Sequence, residues 1–482
     1  MNELLTMSAT ELARKIKKGE VNPVELTETH IRRIEAVNPN INAVIVPTFD
    51  QAMDQAKEAQ EKLAAGKGKE SDLPPFFGVP CTIKDTFAVR GLTWVGGSYF
   101  RKNVIAGEDA TVVKRMKDAG FIILGKTNVP EAAMWIESYN KVYGRTRNPY
   151  DLSRGVGGSS GGEGAIIAAG GSPAGVGSDI GGSIRYPSFF NGICGHKPTG
   201  GLLPQTGHWP PAGGKLATYF ACGPMARRVE DLRPMLGLLA GPDGKDTSVQ
   251  ERPLDDPDKV DLKGLRVYYF TDIGIAKAGH EVKRAVMMAA QALEDRGCVV
   301  EHWRPEGIER GVEIWSAALS TYTDHPFEEL VFESSDTSYW PEAARFLVGK
   351  SRVTTPAMAL IFTEIIGRKF LSRQLAATAE KSVDLQRRIE DKLGDNGILL
   401  SPPFSTPAPK HNAPWLRLPA IGFCATFNVL EFPGTIVPVR WTSGGLPVGV
   451  LLTGARMSDH LTLAGAKALE EEYGGWRIAP GV

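Results

Sequence analysis

Several things are scarce or missing in this 482-residue chain, and each shortage excludes a class of protein. Cysteine occurs five times, at Cys81, Cys194, Cys222, Cys298 and Cys424, without a CxxC pair. An odd, scattered set in apolar surroundings does not build a disulfide framework. It predicts buried free thiols in a reducing compartment. The eight histidines show neither HxH nor HxxxH spacing, so a metal site has no ligand pattern to rest on. Charge of either sign is not in excess: 55 Lys and Arg balance 55 Asp and Glu. Nothing in that balance calls for nucleic acid or an anionic membrane as partner. No window offers the roughly 18 uninterrupted apolar residues of a membrane span. The opening MNELLTMSATELARKIKKGE carries charges from its start, unlike a signal peptide. The expectation is a soluble, cytoplasmic protein without stable membrane insertion.

What is present is ordinary globular composition, 42% hydrophobic and 23% charged, enough for a sizeable core. Length alone suggests two or three domains, but no repeat or clean linker breaks the chain, so one domain over 1–482 is expected. Ser8 and Glu11 form a capping-box pattern before a first amphipathic helix. Two more helices follow, from Pro23 and over Phe49 to Ala65, giving an N-terminal helical wrap over 1–70. Phe121-Ile122-Ile123-Leu124 reads as a strand covered on both faces. Strand and helix then alternate, which predicts an α/β fold with a large, mixed, mostly parallel central sheet and helices on both faces. A helix is expected over 223–240, and a largely helical segment over 311–392.

The chain is organised around Gly155 to Gly200. Two small polar clusters lie there in a bed of glycine: Gly157-Gly158-Ser159-Ser160-Gly161-Gly162, and Asp179-Ile180-Gly181-Gly182-Ser183-Ile184-Arg185. Glycine permits positive φ and close backbone approach. Successive amides in such turns make anion-binding hollows, and a serine beside one is a candidate nucleophile. A flexible linker would not carry the apolar run Ala165-Ile166-Ile167-Ala168-Ala169 between its glycines.

Two motif matches compete and fail. Gly120 to Thr127 satisfies the phosphate-loop pattern GxxxxGK[ST], but its middle residues Phe, Ile, Ile and Leu form a core strand, not an exposed turn. Gly157 to Gly161 satisfies GxSxG, which would need a downstream acid and a histidine such as His411 or His460, and which leaves the second cluster without a role. A third combination uses Lys84, Ser159 and Ser183. Lys84 ends a short buried strand over 78–85, where lysine is unusual. An interior ion pair with Asp85 would explain it; beside two glycine-embedded serines, Ser–Lys catalysis does so better. Burial lowers a lysine pKa by up to about 3–5 units and frees the neutral amine.

PCTIKD at 80–85, GKTNVPE at 125–131, GGSSGGEGA at 157–165 and SDIGGSIRYPSFFNGICGHKPT at 178–199 resemble the amidase signature family. With Glu163 and Asp179-Ile180, the wording is most similar to its fatty acid amide hydrolase branch. The resemblance is dense over 77–228, the signature core, and continues thinly to GLPVGVLLTG at 445–454. It implies an amidase-signature-type fold and a cofactor-free serine amidohydrolase. In it Ser183 is the acylated nucleophile, Ser159 the bridging serine after a cis peptide bond, and Lys84 the terminal base. It further implies the amides of Ile180, Gly181, Gly182 and Ser183 as an oxyanion hole, with Ser160, Ser178, Asp179 and Arg185 as supports. The substrates expected are small-molecule amides with apolar acyl or aryl groups, with esters and carbamates open. Met134, Trp209, Tyr219 and Phe220 are candidate substrate contacts. His208, Pro210, Pro211 and the segment with Trp340, Phe346, Met358, Ile361 and Phe362 are further candidate walls. The alternatives are the glutamine-using component of a tRNA-dependent amidotransferase and a non-catalytic amide-binding scaffold. A homodimer stays open.

Overall fold

A computed structural model of the protein describes residues 2–66, 72–333 and 339–480. The end of the expected wrap at 67–70 and residues 334–338 of the helical segment lie outside these. The strands are β1 (Val44–Pro47), β2 (Pro80–Lys84), β3 (Ile122–Thr127), β4 (Tyr139–Asn140), β5 (Gly144–Arg145), β6 (Ala174–Asp179) and β7 (Cys194–Lys197). They continue with β8 (Ala221–Ala226), β9 (Arg266–Tyr269), β10 (Val299–His302), β11 (Gly397–Ser401), β12 (Gly434–Trp441) and β13 (Pro447–Gly454). Strands β4 and β5 pair with each other; the other eleven form one sheet in the order β1-β3-β2-β6-β8-β7-β12-β13-β11-β9-β10.

The sheet is mixed, and the expected parallel majority is corrected. Strands β3-β2-β6 and β11-β9-β10 pair in parallel. Every other junction, including the whole centre, is antiparallel. At the β12–β13 junction the cause is connection length. Parallel neighbours need a crossover of a dozen or more residues, and β12 reaches β13 through residues 442–446 alone. The helix expected over 223–240 is also corrected: its first part is β8, and the helix spans only Leu232–Leu239. Pro224 is tolerated inside a strand because the ladder to β7 takes in Met225 and Ala226 and stops there.

Helices cover both faces. Along β6 the side chains alternate. Ala174 and Val176 enter a core shared with the helices Leu232–Leu239, His280–Asp295 and Asp459–Tyr473. Gly175 and Gly177 face the other way, towards the helix Gly161–Ala168. A Cβ at Gly175 would overlap the Glu163 carboxylate, and one at Gly177 would press on Ser160 Oγ and Met225 Sδ. Glycine there lets that helix lie directly on the sheet. The N-terminal helices form as expected: Ser8 Oγ accepts from Glu11 N–H at 2.9 Å, and Leu12 and Ile16 are buried. All five cysteines are buried and free.

Candidate active site

Lys84 sits at the carboxyl end of β2, fully buried. Its Nζ lies 2.8 Å from Ser159 Oγ, 2.8 Å from Ser178 Oγ and 3.3 Å from the Ser178 carbonyl oxygen. Burial lowers its pKa from 10.5 to about 7, against the nearby Asp179 and Glu163 carboxylates. The ion pair with Asp85 does not form. Asp85 binds Lys126 at 2.6 Å instead, with both side chains buried. Lys126 is the lysine of the false phosphate-loop match, and Gly120 to Thr127 does run into buried β3.

Ser159 is held from several sides. The Gly158–Ser159 peptide is cis. Ser160 N–H donates to the Ser183 carbonyl at 3.1 Å and so ties the two serine loops together. Behind them, Glu163 anchors the helix Gly161–Ala168 to two strands, accepting from Thr82 on β2 and from Thr127 on β3, the latter at 2.7 Å. Burial raises the Glu163 carboxyl to about 7 despite those two hydroxyls.

Asp179 builds the second loop. Its Oδ1 accepts from Gly182 N–H at 2.7 Å, from an Arg185 guanidinium N–H at 2.8 Å and from Asn428 Nδ2 at 3.0 Å. Its Oδ2 accepts from Ile184 N–H and Arg185 Nε, each at 3.0 Å. Burial alone would raise this carboxyl; Arg185 overrides it and holds it well below the usual carboxylate range. One consequence departs from the expected four-amide cradle, because the Gly182 amide is already engaged by Asp179. The amides of Ile180, Gly181 and Ser183 have no hydrogen-bond acceptor among the described residues.

Two cavities, of about 430 and 320 Å³, meet here. Ser183, Ile180, Met134 and Trp315 line both, while Ser159, Ser178, His208 and Phe220 line the larger. Of the expected contacts, Met134 and Phe220 are thus at the cavities and Trp209 and Tyr219 are not. Trp209 follows His208 and points the other way, its ring 4.5 Å from the Arg101 guanidinium. Tyr219 is buried in the core, where its carbonyl accepts from Asn428. Met358 and Ile361 are core residues, and Trp340, Phe346 and Phe362 are exposed; the long helix Thr355–Ala379 presents Leu360 and Thr363 to the cavities instead. His411 packs on Glu137 and the Leu152 carbonyl, and His460 faces Asp255; neither lines either of these two cavities.

The profile of the Amidase family matches residues 25–463. The chain belongs to the Amidase family. It is an amide hydrolase, acting on a carbon–nitrogen bond. It is similar to fatty-acid amide hydrolase 2 of Homo sapiens, 38% identical over 493 residues, covering 99% of this chain and 91% of that protein. It is also similar to a glutamyl-tRNA(Gln) amidotransferase subunit of Carboxydothermus hydrogenoformans, 33% identical over 501 residues, 97% of this chain and 98% of that one. Among solved structures, 6-aminohexanoate cyclic dimer hydrolase superposes with a TM-score of 0.82 at 27% identity, covering 99% of each chain. This amidase also carries site residues that sequence reasoning missed. Trp315, on the helix Gly311–Tyr322, donates its indole N–H to the Ile180 carbonyl at 2.7 Å. Asn428 touches Asp179, Arg185 and Tyr219. Neither lies in a glycine-rich motif, so no local signal points to them.

Proposed function

We propose that this amidase hydrolyses linear carboxylic amides bearing apolar acyl or aryl groups, through an acyl-enzyme on Ser183. The observation that carries the reading is the buried Lys84 Nζ, 2.8 Å from Ser159 Oγ. Neutral Lys84 takes the Ser159 proton as Ser159 takes that of Ser183, and Ser183 Oγ attacks the substrate carbonyl. Negative charge on the carbonyl oxygen is held by the amides of Ile180, Gly181 and Ser183. Gly182 contributes indirectly, through the bond that fixes the turn to Asp179. Run in reverse, the relay protonates the departing nitrogen, which an amide requires because its anion is a very poor leaving group. Water then cleaves the ester by the same relay.

The apolar walls support the substrate class. Leu216, Phe220, Leu319, Leu330 and Leu360 line the larger cavity, and such a surface favours hydrocarbon over the charged ends of glutamine. Esters and carbamates share the acyl-enzyme chemistry and fit the same site. The amidotransferase reading rests on the 33% identical relative and requires glutaminase activity that depends on a partner and tRNA. The purified chain, assayed by kcat/KM over fatty amides, anilides, carbamates and glutamine, is expected to prefer the first two groups. Ser183→Ala and Lys84→Ala are expected to abolish turnover while leaving the protein folded. Fluorophosphonate labelling is expected to modify Ser183 stoichiometrically; an unlabelled protein would be a binder, not a hydrolase. Wild-type turnover in Ser183→Ala would refute the nucleophile.

A further inference from the structure

His208 stands behind the relay, outside the three residues the mechanism uses. Its ring is buried between Phe87 and Phe220, with centroids 5.1 and 4.6 Å away. Its Nδ1 lies 2.8 Å from the Pro210 carbonyl oxygen and its Nε2 lies 2.9 Å from Ser178 Oγ. A carbonyl oxygen only accepts, so Nδ1 carries the proton and Nε2 presents a lone pair. The Ser178 hydroxyl proton therefore goes to His208.

That commitment fixes the direction of the next bond. Neutral Lys84 has two N–H groups and one lone pair, and three neighbours: Ser159 Oγ, Ser178 Oγ and the Ser178 carbonyl. The carbonyl takes one N–H. With its own proton turned to His208, Ser178 Oγ takes the other. The lone pair is left facing Ser159, which is the arrangement a base needs. Without an acceptor at 208, Ser178 O–H is free to donate into the Lys84 lone pair, and the amine then points an N–H at Ser159 and cannot accept its proton.

We infer that His208 is a positioning residue, which sets the polarity of the Lys84–Ser159 proton relay by holding the Ser178 hydroxyl proton away from the lysine. The inference rests on the Ser–Ser–Lys reading above. Burial, with Lys84 beside it, keeps the imidazole neutral, its pKa lowered to about 3, so the acceptor persists wherever the enzyme works. The other titratable groups that act on Lys84 are Glu163 on the helix Gly161–Ala168, Asp179 on β6 and Cys222 on β8. His208→Phe leaves all three in place.

The test is a double-mutant cycle read with a pH profile, using one anilide substrate and the full chain. His208→Phe fits the slot between two aromatic rings and offers no acceptor. Its kcat is expected to fall about 10²-fold, within the range of a general-base contribution. The acid limb of its profile is expected to move to lower pH, because Ser178 then donates to the neutral amine and favours it. His208→Gln, whose amide both donates to Pro210 and accepts from Ser178, is expected to recover most of the loss. In a Ser178→Ala background, His208→Phe is expected to add nothing. Should His208→Phe not fold, His208→Leu takes its place in every arm. An equal loss in the Ser178→Ala background, an unmoved acid limb, or a His208→Gln as poor as His208→Phe would overturn the inference. Turnover by Ser183→Ala would instead overturn the underlying mechanism; an inactive Ser183→Ala beside an unaffected His208→Phe would sink this inference alone.

Discussion

Trp315 Nε1–H donates to the carbonyl oxygen of Ile180 at 2.7 Å, and its ring packs on Gly181 so closely that a Cβ there would lie 2.7 Å from Trp315 Cζ2. A peptide plane is rigid, so pinning the Ile180 carbonyl also aims the Gly181 N–H on the opposite edge of the same unit. A helix distant in sequence thus orients one of the free amides beside Ser183.

Trp315→Phe keeps an aromatic ring and removes the bond. Its kcat is expected to fall about tenfold, less than the 10²–10³ typical when an oxyanion donor is lost outright. Amide and ester substrates are expected to lose alike, since both place a carbonyl oxygen in the same hollow. Parallel kcat measurements on a matched amide and ester check this.

With Lys84 as the base proposed above, a pH dependence follows. A base must be neutral to act, and its folded pKa is lowered from 10.5 to about 7. kcat/KM is therefore expected to rise with pH below about 7 and to level off above it. A profile still climbing towards the ordinary lysine value of about 10.4 would contradict the buried amine. Stability has the same sign: the unfolded chain binds a proton between the two values and the folded one does not. This group makes the fold more stable as pH rises from about 7 to 10.5. Denaturant midpoints of wild type and Lys84→Met across that interval measure it.

Asp179→Asn is expected to lose both activity and stability. It leaves the fully buried Arg185 guanidinium without its counter-charge, at a cost of about 3–5 kcal/mol. Arg185→Lys is expected to be nearly as damaging, because one ammonium cannot replace the two-armed contact to Oδ1 and Oδ2. Chemical denaturation of the three proteins gives the comparison.

Gly175→Ala tests the fit of the Gly161–Ala168 helix on the sheet. The added methyl would occupy the space of the Glu163 carboxylate and crowd the Thr82 carbonyl. Overpacking of this kind costs about 1–3 kcal/mol. The expected result is a lower unfolding midpoint together with a lower kcat, since the same helix follows Ser159.

The parts legible in the sequence are those whose chemistry is local. Lys84, Ser159 and Ser183 each stand in a short stretch that is odd by itself: a lysine ending an apolar strand, and serines among glycines. The first N-terminal helix is signalled by its Ser8 cap and by periodicity. The parts not legible depend on partners far along the chain. Nothing near Asp85 says that Lys126 will neutralise it, and nothing near Asp179 says that it will take the Gly182 amide for itself. Strand direction is hidden for the same reason: an apolar run of four to six residues does not state which way its neighbour runs. The cavity walls are hidden because bulk and hydrophobicity do not distinguish Trp209, packed against Arg101, from Trp315, which faces the site.

The two cavities share Ser183, so a carbonyl bound there has room on either side. In the proposed mechanism, with the amine and acyl halves of a substrate on opposite sides of Ser183, departure of the amine half vacates one compartment while the acyl half still fills the other. The vacated compartment then gives water an approach to the ester that the retained chain does not block. Under the proposed acyl-enzyme mechanism that division sets a product order: the nitrogen fragment leaves first, and the acid is freed only after solvent has come in behind it.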